Sequence, residues 1–336
     1  MKVAERAAKP VMIEVPLQVG PVAPVGGKLS NKIDHDSHAE TLERWVAGVT
    51  VALPALGVLL AGYVWWGTAI GWAELSVAAA MYLLTSMGIT AGFHRYFTHK
   101  SFECVGAFKW YLGVAGSMAS QGPILFWAAS HRRHHQNSDD ENDPHSPHHH
   151  GGGVKGVLLG FWHAHIGWML SHSPENYFKL TPDLLRDRGV VMMSRFYFLW
   201  VLLGLAIPAV AVGLIRGDWW GVWTGFLWGG LVRLFLQQHV TWSINSVCHL
   251  WGAKDFRTGD ESRNNALLSV VSLGESWHNN HHAFPASSRH GLKWWQIDLT
   301  YVTLKVASWT GLVSELRTVS EKAMARKTAT DVVGEG

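Results

Sequence analysis

The chain has 336 residues, 48% of them hydrophobic and 16% charged, against roughly a quarter charged in soluble domains. A net charge of +3, without a basic run carrying interleaved aromatics, excludes nucleic acid as a partner. The only cysteines, Cys104 and Cys248, form no C-x-x-C pair, which excludes a disulfide framework, a thiolate zinc site and a cysteine-ligated iron–sulfur cluster. Nineteen tryptophans suit a surface that meets two membrane interfaces, and twenty histidines fall largely into clusters.

Residues 1–44 mix charges, prolines and glycines without the apolar stretch of a signal peptide, and are expected to form an arm or a membrane-surface segment. Trp45 to Ala73 carries no charge and can cross about 30 Å of hydrocarbon. Leu75 to Phe93 is a second uncharged run, and the short link at Gly67 to Trp72 makes the pair a hairpin across the bilayer. Spans are predicted at about 45–66, 73–93, 196–215 and 219–242, the last two joined by Arg216-Gly217-Asp218. Arg233, roughly 21 Å into the fourth span, is expected near its cytoplasmic end with its guanidinium snorkelling to the interface.

Trp110 to Ser130 is also uncharged, but Gln121-Gly122-Pro123 interrupts it. As a span it would put the histidines before and after it on opposite sides of the membrane. It is therefore read as a helix that lies in the interface, or dips in and returns. Four spans leave both termini and every histidine cluster on one side, with Arg95, Lys100, Arg132 and Arg133. The opposite links hold only Arg216, so the histidine side is cytoplasmic. Residues 320–336 read as a polar, loosely ordered tail.

Three clusters carry the chemistry: His94-Arg-Tyr-Phe-Thr-His99, His131-Arg-Arg-His134-His135 and His278-Asn-Asn-His281-His282. In the last two, i, i+3, i+4 spacing sets three imidazoles on one helical face. His94 and His99 lie about 140° apart on an ideal helix; they converge only if the helix end unwinds, or they serve different metals. Imidazole suits iron, zinc, copper or nickel, and eight such ligands exceed what one metal needs, so two metals are the economical reading. His249 is a further candidate, with Asn245 one turn earlier on the same face. Glu275, in Glu275-Ser-Trp-His278, is expected to orient an imidazole. Asp139, Asp140, Glu141 and Asp143 are read as solvated, the alternative being that they too orient imidazoles. His145 and His148-His149-His150 are placed on a surface loop, and His163, His165, His172, His239 and His290 are given structural roles.

At these residues the chain resembles the membrane-bound acyl desaturases, the family of stearoyl-CoA Δ9 desaturases and their bacterial and plant relatives. The likeness spans roughly residues 50–315, and includes the Gly-Ile-Thr-Ala-Gly-Phe run into His94, Asp143-Pro-His145, His165-Ile-Gly-Trp168, Asn245-Ser-Val-Cys-His249 and Gly274-Glu-Ser-Trp-His278. It implies an all-α membrane protein, four transmembrane helices under a cytosolic cap, with a desaturase domain over 45–319. It implies two irons held by His94, His99, His131, His134, His135, His249, His278, His281 and His282, Asn245 approaching one through water, and dioxygen as co-substrate. The acyl chain would lie in a bent tunnel whose end is set by residues of the second span, here Ala78 and Tyr82. The membrane would be a bacterial inner membrane or one of ER type.

The carrier is where the likeness to animal acyl-CoA enzymes breaks. Met169 to Lys179 offers one lysine and one glutamate where those enzymes hold CoA phosphates, leaving Arg186 and Arg188, or Arg132 and Arg133, as phosphate contacts. The Arg289-His-Gly-Leu-Lys-Trp-Trp run resembles the branch that includes enzymes of lipid-bound chains. No flavin or nicotinamide fingerprint and no His-Pro-Gly-Gly signature of a fused cytochrome b5 is present, so electrons are expected from a ferredoxin, or from cytochrome b5 with its reductase. The expected reaction places a cis double bond, at C9, in a long saturated chain on CoA or a lipid. Rival readings are a hydroxylase or alkene-forming decarboxylase on the same scaffold, and a non-enzymatic membrane metal-binding protein.

Overall fold

The computed structural model describes residues 37–65, 70–171 and 175–328. The described residues are mostly helical, with almost no strand. Among the described residues, three helices are long and apolar enough to cross a membrane: Glu43–Val64, Trp72–Thr98 and Tyr197–Arg216. The first lies within α1 (Ser37–Trp65), so helix already occupies the end of the expected N-terminal arm. The second is α2 (Trp72–Met87) running on into a π-helix, π1 (Gly88–Thr98). The third is α10 (Tyr197–Arg216).

After α10, Gly217 takes the left-handed conformation at φ 72°, and Asp218 caps the next helix by accepting from Gly221 N at 2.6 Å. Glycine at the stop and aspartate at the start compress the turn into two residues. Helix then runs on from Trp219 to Leu250 as α11 (Trp219–Gly225), π2 (Phe226–Val232) and α12 (Arg233–Leu250). Gly225 and Gly229 lie against Pro208 of α10, where a side chain would collide with that neighbour. Glu74, buried in the first turn of α2, accepts from Arg216 at 3.0 Å and Thr224 at 2.8 Å, which draws the two short links together.

Arg233 does not snorkel. It is 1% exposed and donates to the carbonyls of Gly204 (2.8 Å), Met118 (3.1 Å) and Gly229 (3.1 Å). Met118 caps the C-terminus of α3 (Gly106–Ser117), where orphaned carbonyls and the helix dipole favour a cation.

The segment Trp110 to Ser130 is two helices, α3 and α4 (Ile124–Asn137), broken at a turn with Ser120 at φ 55° and Gly122 at φ 92°. α3 runs antiparallel to π1, Gly88 meeting the backbone of Gly116 and Gly92 meeting Leu112. α4 then returns toward the histidines. Phe93, Phe97, Leu112, Ile124, Met193 and Leu304 are buried where π1, α3, α4, α9 (Arg188–Arg195) and α14 (Leu299–Trp309) meet, which fixes the base of the site.

The described part of the tail, up to residue 328, is more ordered than the sequence suggests. Glu321–Lys327 is helical, and Lys327 donates to Ala283 O at 2.7 Å while its carbonyl accepts from Arg257 N at 2.7 Å. These bonds tie it to the end of the third histidine cluster and to the loop that precedes that cluster, contacts that composition does not reveal.

Candidate metal centre

The first histidine pair depends on π winding. In an i→i+5 helix, residues five apart stack on one face. His99 N donates to His94 O at 3.2 Å, and the two rings sit 5.0 Å apart. Neither an unwound end nor two separate metals is needed, because both side chains join the same cluster.

α4 supplies His131, His134 and His135, the short α13 (His278–Ala283) supplies His278, His281 and His282, and α12 supplies His249. The nine imidazoles divide five and four. The ligating atoms of His94, His99, His131, His135 and His281 lie within 4.8 Å of one another, as do those of His134, His249, His278 and His282. Nε2 faces Nε2 throughout: His135 to His281 at 2.8 Å, His94 to His281 at 3.0 Å, His278 to His249 and to His282 at 3.1 Å. The stacked rings of His135 and His282, 4.5 Å apart, join the two groups.

Four carboxylates grip the outer edges of these rings. The Nδ1 of His94 donates to Glu275, that of His134 to Asp143 at 2.9 Å, that of His249 to Asp139 at 2.9 Å, and that of His282 to Asp260 at 2.7 Å. Burial alone would push the pKa of Asp139, Asp143 and Asp260 up, but the imidazole each one holds overrides it and keeps all three well below the usual carboxylate range. Asp139 and Asp143 are therefore not solvated as expected, whereas Asp140 and Glu141 are exposed. Asp260 was not singled out from the sequence, since nothing local links it to a histidine 22 positions later.

A ring whose Nδ1–H is given to a carboxylate carries a bare lone pair on Nε2. Several such lone pairs converging at about 3 Å repel unless a cation lies between them, so the donor set fits two nitrogen-ligated metal ions. Burial and the neighbouring imidazoles push His131, His135, His278 and His281 well below their ordinary value, which keeps them neutral and able to ligate. The group formed by His94, Glu275 and His290 does not fit a metal in the same way. The buried Arg95 guanidinium already occupies it, 2.9 Å from Glu275, 3.0 Å from Asp298 and 3.2 Å from His290 Nδ1.

A cavity opens onto both clusters. It runs from Tyr82 past Gln237, Trp127 and Asn245 to His94, His131 and His278. The family profile of fatty acid desaturases matches residues 70–307. The chain belongs to this family. It is 40% identical over 277 residues to the hex-5-enoyl-[acyl-carrier protein] acetylenase of Moorena producens (strain JHB), covering 82% of this chain and 86% of that one. It is 35% identical over 255 residues to the sn-1 stearoyl-lipid 9-desaturase of Anabaena variabilis, covering 75% and 86%. A third relative, the acyl-CoA C20 Delta5-desaturase of Anemone leveillei, is 33% identical over 255 residues, covering 74% and 76%.

In this desaturase the remaining expected contacts fall unevenly. Tyr82 and Asn245 line the cavity and Ala78 does not. Arg186 and Arg188 are exposed at the surface. Arg132 is not free for a phosphate, and Arg133 is partly engaged. Arg132 forms a two-pronged pair with Asp183 (2.6 and 3.1 Å) and binds the carbonyls of Phe97, Thr98 and Leu180, while Arg133 donates to Asn142 O at 3.0 Å. The loop after the second cluster is not a free surface loop, because its acids hold ligand candidates. His145 is 4% exposed with its ring 4.4 Å from His134, and His148 donates to His249 O at 3.0 Å. His165 sits between Ser246 and His239, both at 2.9 Å; His172 lies outside the described residues.

Proposed function

We propose that this desaturase inserts a cis double bond, at C9, into a long saturated acyl chain. The observation that carries the reading is the cavity that ends against two convergent histidine clusters. Its apolar stretches suit an alkyl chain, and hydrogen removal from unactivated methylenes calls for an oxidant that no side chain supplies. Two irons held at the clusters, by His94, His99, His131, His135 and His281 and by His134, His249, His278 and His282, would supply that oxidising power from dioxygen.

The four carboxylates fix the tautomers, and Asn245, which lines the same cavity as His278, would approach one iron through water. Removing two hydrogens from the chain and reducing dioxygen to two waters takes up two further electrons and two protons. A ferredoxin, or cytochrome b5 with its reductase, delivers the electrons at the cap. Tyr82 ends the tunnel with Ala78 one turn beyond it, and exposed Arg186 and Arg188 meet a carrier phosphate. Four spans, the fourth being the apolar part of Trp219 to Leu250, leave the clusters and both termini cytoplasmic.

Feeding labelled stearate to a desaturase-deficient host that expresses the chain tests this. Mass spectrometry should find the 9,10-monoene. A hydroxylated product, a terminal alkene or unchanged stearate would overturn it.

A further inference from the structure

The deep end of the cavity lies at bilayer depth. Tyr82 stands eight residues past Glu74, on the face opposite the histidines, and twelve before His94, so it lies about 12 Å from the first level and, since the π-wound turns from Gly88 rise less per residue, under about 18 Å from the second. The cavity wall beside it is the turn 266–273, whose Val271 carbonyl accepts the Tyr82 hydroxyl at 2.6 Å. Tyr82, Val271 and Ser272 line the cavity, while Leu267, Val270 and Val271 are 92%, 56% and 45% exposed outward. The turn pairs its own backbone, Ser272 N to Leu268 O at 2.9 Å and Gly274 N to Ser269 O at 2.8 Å, as apolar surroundings demand. On this side a lipid-facing apolar turn, tied to α2 by that side-chain bond, separates the cavity from hydrocarbon.

We propose that the acyl chain enters the cavity sideways from the bilayer, between α2 and the 266–273 turn, and that the substrate is therefore a chain of a membrane glycerolipid. This rests on the membrane desaturase reading above. A lipid of the cytoplasmic leaflet already lies along the membrane normal, headgroup at the interface and methyl end toward the midplane. The cavity has the same order, histidines above and Tyr82 below. A sideways step loads the chain without passing it through water, whereas a soluble thioester would have to expose it.

The full chain is reconstituted, without reductant, in phosphatidylcholine vesicles whose lipid carries a diazirine near one acyl methyl end. After illumination, peptide mass spectrometry should find label on residues 82–90 and 266–272. Val271→Trp, which fills the gap, should cut it severalfold, and Leu267→Trp, outside the cavity, should not. Tyr82→Phe, which removes the bond and keeps the ring, should raise labelling. Label absent from the cavity in the native chain, or equal in the native chain and Val271→Trp, overturns the proposal, as does turnover of added stearoyl-CoA with none of stearoyl phospholipid. Cavity labelling with no double bond formed after reductant is added supports sideways entry and counts against the reaction reading alone.

Discussion

Asp139→Asn removes one negative charge from the back of His249 and nearly preserves its shape. The native carboxylate accepts from His249 Nδ1 at 2.9 Å, Glu261 N at 2.8 Å and Ser146 Oγ at 3.1 Å. An amide keeps one acceptor oxygen, so one of those donors faces an NH2 group. Charge-assisted hydrogen bonds are about twice as strong as neutral ones, which makes the loss at His249 about 1.5 kcal/mol. That corresponds to about tenfold weaker metal binding at the four-histidine cluster, and misdirection of the amide extends the range toward about a hundredfold. The five-histidine cluster, whose carboxylate is Glu275, keeps its affinity. Titration of the stripped protein against a competing chelator reads both sites, with a thermal melt as the check on folding. Two sites of native affinity in Asp139→Asn would refute the claim that these carboxylates set the ligand tautomers.

Replacing His148, His149 and His150 together by alanine should leave both metals bound and most turnover, since only His148 touches a ligand candidate, and that through a carbonyl; loss of a metal would contradict this. Arg132→Ala should cost about 2 kcal/mol in thermal stability, because it strips several carbonyls of their donor and leaves Asp183 with Lys100 alone, while leaving the Michaelis constant for the acyl substrate unchanged. The metal-free protein should lose stability as pH falls below about 6.5, where the unfolded chain's histidines take up protons that the buried His131, His135, His278 and His281 refuse. Protons then favour the unfolded state, so a melting temperature that stays flat between about pH 7.5 and 5.5 would contradict the burial argument.

The ligand candidates were legible because repeated histidine at helical spacing is rare enough to stand out. What holds them was less so. The π winding from Gly88 to Thr98 leaves no local signature: it arises where Gly88 and Gly92 let α3 come against the backbone. Asp139, Asp143 and Asp260 find their histidines across 110, 9 and 22 positions, and only a preceding fold can say which acid reaches which ring. Arg233 misled for a related reason. Hydropathy places a lone cation relative to a bilayer, whereas its partners are carbonyls on other helices. The break at Gln121-Gly122-Pro123 was readable because proline and glycine act locally.

Two metal ions held by nine imidazoles are the centre of this account, and their number can be counted. Elemental analysis of protein purified in an actively desaturating state should give two irons per chain, falling to none when His131 and His278 are both replaced by alanine. A single metal per chain in the active protein would contradict the division of the histidines into five and four.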